Sequence, residues 1–258
     1  MTTTLPHRVG ALCVAVTAAA LTAACGGIGA RLTFTDTEKS KVTEIAMQGG
    51  SGDVTVHTAA VTQTTITRVV QHSSDPGPSY RMEGTVLRID TSCGPDCTVS
   101  YDITAPAGVA VTGGLTSGDI RLTDVRTANV TLTSGDIEVH GATAGVTARS
   151  RSGDMGVTGV KGAVTLEAGS GDVRAVDLAG PVTARTNSGD IDVTLTEPAN
   201  VTVEGSSGDV RVSVPAGAYR VRADTGSGDA NVGIDNDPTA TNMLDIRTRS
   251  GDVTVATA

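Results

Sequence analysis

Apolar residues recur at every second position on both sides of a repeated tripeptide, Ser-Gly-Asp. With the serine of each copy at offset zero, apolar side chains occupy offsets −6 and −4 and offsets +3 and +5, as with Val182, Ala184, Ile191 and Val193 around Ser188. A spacing of two is typical of a β-strand whose alternate side chains point inward. The inward parity changes from even to odd across the tripeptide, so the chain must bend or bulge there. Each repeat is predicted to hold two strands joined at a corner.

The tripeptide occurs nine times, and the last eight copies are evenly spaced. After a first step of 66 residues, successive serines lie 17, 18, 18, 18, 19, 20 and 23 residues apart. A step this regular indicates structural units that stack on their neighbours. We therefore predict an all-β fold, a parallel β-solenoid resembling a single-stranded β-helix, with about 18 residues per coil. The predicted structural turns are Ser51-Gly52-Asp53, Ser117-Gly118-Asp119, Ser134-Gly135-Asp136, Ser152-Gly153-Asp154, Ser170-Gly171-Asp172, Ser188-Gly189-Asp190, Ser207-Gly208-Asp209, Ser227-Gly228-Asp229 and Ser250-Gly251-Asp252.

Each member of the tripeptide has a predicted role at the corner. The glycine takes positive φ without a Cβ clash, and the aspartate accepts a hydrogen bond from a nearby backbone N–H in an Asx-type turn. The serine is small enough to face the interior and to bond a neighbouring coil. A second bend is expected at offsets +7 to +11, where these turn formers fall: Gly141, Gly159, Gly162, Gly180, Pro198 and Pro215.

The repeat divides the folded part of the chain into two regions. Residues 117–258 hold the regular coils, whereas residues 41–116 break the rhythm because 66 is not a multiple of 18. We expect residues 41–116 to contain an insertion that caps the open N-terminal edge of the stack. Together, residues 41–258 form the predicted solenoid domain.

The N-terminus has the pattern of an export signal. A weakly basic start precedes an apolar or small stretch that ends at Ala24, which predicts a signal peptide over residues 1–24. The segment Leu21-Thr22-Ala23-Ala24-Cys25-Gly26-Gly27 resembles a bacterial lipobox. The resemblance implies that Cys25 carries the lipid, that residues 25–40 are a tether, and that the protein sits on the outer face of the cell membrane. The alternative is ordinary cleavage after Ala24, which would leave a secreted protein.

Two cysteines remain for a disulfide in an exported protein. The segment Cys93-Gly94-Pro95-Asp96-Cys97 contains turn formers that bring the two sulfurs together, and export permits oxidation. The rival interpretation is half of a zinc site. A zinc site would need a second ligand pair, yet there is no further cysteine pair, and His57, His72 and His140 show no ligand spacing.

Composition limits the residues that can form the core, and charge limits the classes of binding partner. Aromatic residues make up 2% of the chain, so the core must come from Val, Ile, Leu and Ala. The net charge is −9, and nine of the negative charges are the aspartates of the tripeptide. This acidic pattern argues against a nucleic-acid partner, which requires a basic surface.

The repeats also resemble a known family. Strands that close in Ser-Gly-Asp-(Val/Ile), preceded by Val99-Ser100-Tyr101-Asp102-Ile103-Thr104-Ala105-Pro106-Ala107-Gly108-Val109, are similar to the bacterial β-strand-repeat proteins regarded as candidate adhesins. The resemblance spans roughly residues 41–258 and implies a surface protein of unknown function with no established catalytic residues.

The row of aspartates is expected to be structural. One carboxylate per coil falls short of the six to eight oxygens that calcium takes, so the row allows at most a weak association with divalent cations, and no cofactor is expected. A serine nucleophile would need a Gly-x-Ser-x-Gly elbow and a nearby base. Ser-Gly-Asp is not such an elbow, which argues against an enzyme.

We therefore expect a non-enzymatic cell-envelope lipoprotein, adhesin-like or a scaffold, with a cell-surface or glycan partner. One alternative is an envelope-stress or signalling accessory that binds a membrane protein, for instance at the exposed last coil, Asp252 to Val255. The other is a glycan-active β-helix enzyme.

Overall fold

A computed structural model describes residues 31–71, 77, 80–94 and 97–258 of the chain. The predicted signal peptide, Cys25, His72, Pro95 and Asp96 lie outside the described residues. Within the described ranges, no helix is long and apolar enough to cross a membrane. These residues form 23 strands in two sheets, which confirms the predicted all-β solenoid.

Sheet A holds twelve strands, and their spatial order is β1-β4-β7-β3-β9-β11-β13-β15-β17-β19-β23-β21. Their bounds are β1 (Arg31–Glu38), β3 (Val54–Ala59), β4 (Thr64–Gln71), β7 (Thr98–Pro106), β9 (Ile120–Val125), β11 (Ile137–Ala142), β13 (Met155–Val160), β15 (Val173–Leu178), β17 (Ile191–Leu195), β19 (Val210–Val214), β21 (Ala230–Val232) and β23 (Val253–Thr257).

Sheet B holds eleven strands, and their spatial order is β20-β22-β18-β16-β14-β12-β10-β8-β2-β6-β5. Their bounds are β2 (Glu44–Gln48), β5 (Tyr80–Glu83), β6 (Val86–Asp90), β8 (Ala110–Ser117), β10 (Thr127–Ser134), β12 (Val146–Ser152), β14 (Val164–Ser170), β16 (Val182–Ser188), β18 (Val201–Ser207), β20 (Tyr219–Ser227) and β22 (Asn242–Ser250).

A regular coil consists of one strand of sheet B, the Ser-Gly-Asp corner and one strand of sheet A. Equivalent strands of successive coils pair in parallel and in register, so that Val146, Val164 and Val182 lie side by side. Parallel pairing satisfies the backbone groups along the whole stack. The inward residues of both sheets form one core, and Leu166 and Val193 are fully buried as their alternation predicts.

The serines of the tripeptide do not face the interior, contrary to the prediction. Eight of the nine are exposed and Ser117 is half-buried. The inward alternation of the sheet B strands ends two residues earlier, so the buried position is offset −2. There the hydroxyl of Ser150 donates to the carbonyl of Ser152, and Thr186 and Thr248 repeat this contact with Ser188 and Ser250. Offset −2 therefore takes the inward position expected of the serine, but these hydrogen bonds stay within one coil.

The first coil of the stack is separated from the second in sequence but not in space. β2 and β3 pair directly with β8 and β9, and the intervening segment lies beyond them. There β4 pairs antiparallel with β7 and with β1, which ends the run of parallel strands. The segment thus caps the N-terminal end of the solenoid.

The tether expected over residues 25–40 is shorter than predicted. Arg31–Glu38 form β1 instead, because Leu32 and Phe34 alternate inward and pack against the core. Residues 25–30 lie outside the described part of the chain.

At the C-terminal end of the stack, the coils do not follow one another in chain order. The C-terminal coil (residues 242–257) lies between residues 201–214 and an outer coil (residues 219–232): β22 pairs with both β18 and β20, and β23 with both β19 and β21. The expectation that Asp252 to Val255 form an exposed last coil is therefore wrong. The chain doubles back after β21, so the edge strands are β20 and β21.

Candidate functional site

The nine aspartates form a ladder along one corner of the solenoid. Eight of the nine donate their backbone N–H to Oδ1 of the aspartate in the spatially preceding coil, at 2.8–3.1 Å. The acceptors follow the spatial order of the coils: Asp53, Asp119, Asp136, Asp154, Asp172, Asp190, Asp209 and Asp252. The expected Asx-type bond within one turn is thus replaced by a bond between coils, because the aspartate N–H points along the stack.

The tripeptide glycines are required at this corner. All nine have φ between 103° and 136°, the region that favours glycine. A Cβ at any of them would lie 2.0–2.4 Å from a carbonyl oxygen of the preceding coil, which for Gly153 is that of Gly135. The second bend also follows the prediction in part, since Gly141 and Gly159 have φ of 76° and 70°.

The two ends of the ladder differ. At the N-terminal end, the N–H of Asp53 donates to the hydroxyl of Ser100 on β7, at 3.1 Å, so a side chain of the cap closes the ladder. At the other end, Oδ1 of Asp229 accepts no hydrogen bond from the described residues. The ladder is closed at one end and open at the other.

The outer carboxylate oxygens are partly paired with arginine. Arg121 contacts Oδ2 of Asp119 at 2.8 Å, and Arg211 contacts Oδ2 of Asp209 at 3.2 Å. Within the described ranges, no three His, Cys, Asp or Glu side chains group in a way that would hold a metal ion. The ladder therefore has the geometry of a structural turn element.

A row of alternating charge crosses the outer face of sheet B at offset −3. In spatial order it reads Arg149, Glu167, Arg185, Glu204, Arg247, Asp224. Arg149 and Arg185 pair with the glutamate of the next coil at 2.8 Å, and the hydrogen bond that Arg185 donates to Glu204 raises the pKa of Arg185. Opposite charges on neighbouring strands stabilise a sheet, whereas like charges weaken it.

An open groove of about 690 Å³ lies beside this row, at offsets −3 to −1 of sheet B. Small residues such as Gly49, Gly114 and Gly169 leave room for it, while Arg149 and Glu167 form part of its wall. The groove runs across successive coils, and its walls are mainly polar. Sequence reasoning missed it, although the glycines at offsets −3 to −1 are its signal.

Three polar residues meet on the outer face of sheet A near the cap. His57 Nε2 lies 3.0 Å from the Thr104 hydroxyl, and His57 Nδ1 lies 4.0 Å from Asp102 Oδ1. A nucleophile needs a base that a third group orients by a hydrogen bond, and 4.0 Å is too long for one. The side chains of His57 and Asp102 are also 45% and 65% exposed. This set is a cross-strand surface contact.

The cysteine pair lies where the cap meets the stack. A disulfide joins Cys93 to Cys97, whose Cα atoms are 5.5 Å apart, and both side chains pack against the core. Gly94 makes the turn with φ of 105°.

Comparison with known families identifies the chain. The model of the family described as Toastrack DUF4097 matches residues 31–256. The chain belongs to this family. The match confirms the resemblance to β-strand-repeat proteins of unknown function.

Two solved structures are also similar to this Toastrack chain. One is a candidate adhesin from Bacteroides fragilis NCTC 9343, with 14% identity and a TM-score of 0.49, covering 88% of this chain and 97% of that one. The other is a candidate cell adhesion protein from Clostridium sporogenes ATCC 15579, with 11% identity and a TM-score of 0.27, covering 89% of this chain and 100% of that one. No curated protein matches the chain.

Proposed function

We propose that this Toastrack protein is a non-enzymatic, exported surface protein that binds an extended polar ligand along sheet B, in the manner of an adhesin. The observation that carries the proposal is the groove beside the row of alternating charge. The groove crosses several coils at the strand spacing of ~4.8 Å, so a ligand lying in it meets the side chains of a new coil at each step, such as Thr131, Arg149 and Glu167. Stacked coils hold those groups on a rigid scaffold.

The ligand class follows from the groove's chemistry. Arg149 and Glu167 offer both signs of charge, and Thr131 and Asn187 offer hydrogen bonds. None of the described residues that line the groove is aromatic, so they offer no stacking surface for sugar rings. We therefore expect an extended ligand with hydroxyl, amide and charged groups, such as a surface glycan or a matrix protein segment.

Exchanging charges within an ion pair tests this assignment. The double variant Arg149→Glu/Glu167→Arg keeps the pair but inverts its pattern in the groove. The matched control, Arg185→Glu/Glu204→Arg, inverts a pair of the same 2.8 Å geometry outside the groove. Binding of purified protein to immobilised glycans, matrix proteins and cells should fall at least tenfold only for the first variant. Equal binding by all three proteins would contradict the groove as the binding surface.

Anchoring is a separate part of the proposal. The lipobox-like segment before Cys25 supports a diacylglyceryl anchor on the outer face of the cell membrane. Mass spectrometry of the N-terminus of protein extracted from membranes should find lipid on Cys25. An unmodified Cys25 would instead mean a secreted protein.

A further inference from the structure

We propose that the outer coil (residues 219–232) is a docking site for an extended segment of a partner protein, which adds as one more coil and continues the aspartate ladder. The segment would carry a glycine turn flanked by strand residues. This surface lies at the end of the stack, apart from the groove, so the inference does not depend on the proposed adhesive function.

The corner of the outer coil repeats groups that are paired everywhere else in the stack. Eight residues at offset +3, such as Val210 and Val253, donate their N–H to the aspartate carbonyl of the next coil. The ninth, Ala230, has no such acceptor among the described residues. Likewise, Asp229 Oδ1 receives no N–H from them, although its eight counterparts do. Within the described ranges, the N–H of Gly228 also lacks the serine carbonyl that accepts from its counterparts, such as Gly208 and Gly251, so the corner offers two donors and one acceptor in the arrangement that binds a coil.

The apolar side chains of the outer coil are also incompletely covered. Val221 and Ala223 sit at inward offsets but are half-buried, and Val232 is 39% exposed. Equivalent residues one coil deeper, Leu244 and Ile246, are fully buried. A further coil would cover the same positions.

Part of this edge is already occupied, which delimits the site. Asn236 Oδ1 accepts from the N–H of Val221 at 2.9 Å, and the N–H of Asp237 donates to the carbonyl of Tyr219 at 2.9 Å. The loop after β21 thus covers the first half of β20. The open edge runs from Ala223, around the corner, to Val232.

The stack specifies the chemistry of the occupant. It must run parallel to β20 and β21 and place a glycine over Gly228, because a Cβ there would strike the Gly228 carbonyl as it would at the other corners. The outer face of β20 presents Arg222 at offset −5 and Asp224 at offset −3. A complementary segment has an acidic residue at −5 and a basic one at −3. Asp245 and Arg247, which lie opposite Arg222 and Asp224 in the strand register on the inner side, have this pattern, although each strand also makes its own ion pair at 2.7 Å.

A second copy of the chain does not fit this edge. A copy stacked head to tail would present its capped end, where β1 turns Asp36 and Glu38 toward the core side. Such inward charges block edge pairing. A copy related by a two-fold axis would present antiparallel strands, which leaves the parallel corner groups unmatched.

A peptide with the sequence of residues 242–258 serves as the probe, since it has the required glycine and charges. Added at millimolar concentration to the intact protein, it should slow amide hydrogen exchange of Gly228 and Ala230 about tenfold, as expected at about 90% occupancy. The same peptide with Gly251→Val should have no effect. In the protein, Asp229→Ala should weaken peptide binding at least fivefold, whereas Asp235→Ala, an exposed aspartate outside the ladder, should not.

Several results would overturn the proposal. One is that millimolar peptide leaves the exchange rates of the Gly228 and Ala230 amides unchanged. Another is that the Gly251→Val peptide protects these amides as well as the original peptide. The third is that the Asp229→Ala and Asp235→Ala proteins bind the peptide equally. Sedimentation gives a further check. If the protein alone forms a dimer that protects Gly228 and Ala230, the edge belongs to a second copy and the proposal is wrong.

Discussion

The backbone N–H of Asp172 donates to Oδ1 of Asp154, 18 residues earlier in the chain, at 2.8 Å. Asp172 thus donates its backbone N–H to the coil before it and accepts, at its side-chain Oδ1, the N–H of Asp190 in the coil after it. Carboxylates spaced ~4.8 Å apart repel one another by about 0.9 kcal/mol in water, and a hydrogen bond worth about 1 kcal/mol offsets this. We therefore expect the ladder to depend mainly on the acceptor oxygen.

Replacing Asp154 separates these two contributions. Asp154→Ala removes the acceptor and should lower the free energy of unfolding by about 1–2 kcal/mol. Asp154→Asn keeps an oxygen acceptor and removes repulsion, so it should cost less than about 0.5 kcal/mol. Urea denaturation gives the free energies, and amide exchange of Asp172 should accelerate only in the alanine variant. Equal losses in both variants would show that the charge itself matters.

Valine at a corner glycine should be severely destabilising. Gly153 has φ of 119°, and its Cβ would lie 2.0 Å from the Gly135 carbonyl oxygen. Gly153→Val should therefore cost about 3 kcal/mol or more in a denaturant titration. Gly156→Val is the matched control, since the nearest atom to its Cβ is Glu138 Cγ at 4.0 Å. That change should be neutral or stabilising, and a cost below about 0.5 kcal/mol at Gly153 would refute the corner geometry.

The interleaved order can be tested with engineered disulfides. Glu204 and Arg247 are paired residues on adjacent strands, while Asp224 lies one strand further. Cysteines at 204 and 247 should therefore cross-link, because paired strands are ~4.8 Å apart. Cysteines at 204 and 224 should not, because they are ~9.6 Å apart. Peptide mapping under non-reducing conditions reads the result, and the reverse pattern would mean that the coils stack in chain order.

Stability should fall at high pH through Tyr80. Burial, followed by the charge of Asp36, raises the pKa of Tyr80 from 10.0 to about 12. Between these values the unfolded chain has lost the phenol proton that the folded chain keeps, so stability is full below pH 10 and declines toward pH 12. Urea titrations at pH 9 and pH 11.5 should show this decline. Tyr80→Phe should reduce it without abolishing it, because burial raises the pKa of Tyr219 as well. An unchanged decline in that variant would exclude Tyr80 as its source.

The sequence predicts the architecture well because the signals are local and repeated. Alternation around residues such as Val182 and Ile191 defines the strands, and the spacing of the glycines defines the corners. The bonding partner of an aspartate and the position of a serine depend on how coils stack, which alternation does not report. The coil order is also hidden from the core pattern, since all coils share the same inward rows. Only the outer charges reveal it: Glu204, Arg247 and Asp224 alternate in space but not in sequence.

The interleaving of the C-terminal coil sets the order in which the molecule can be completed. Residues 219–232 precede their partner strands in the chain, since β20 pairs with β22 and β21 pairs with β23. Apart from the loop after β21, the outer coil therefore has no neighbouring strand in place until residues 242–257 have followed it. Loss of residues 242–257 would therefore remove the C-terminal coil and also leave the outer coil without its partner strands.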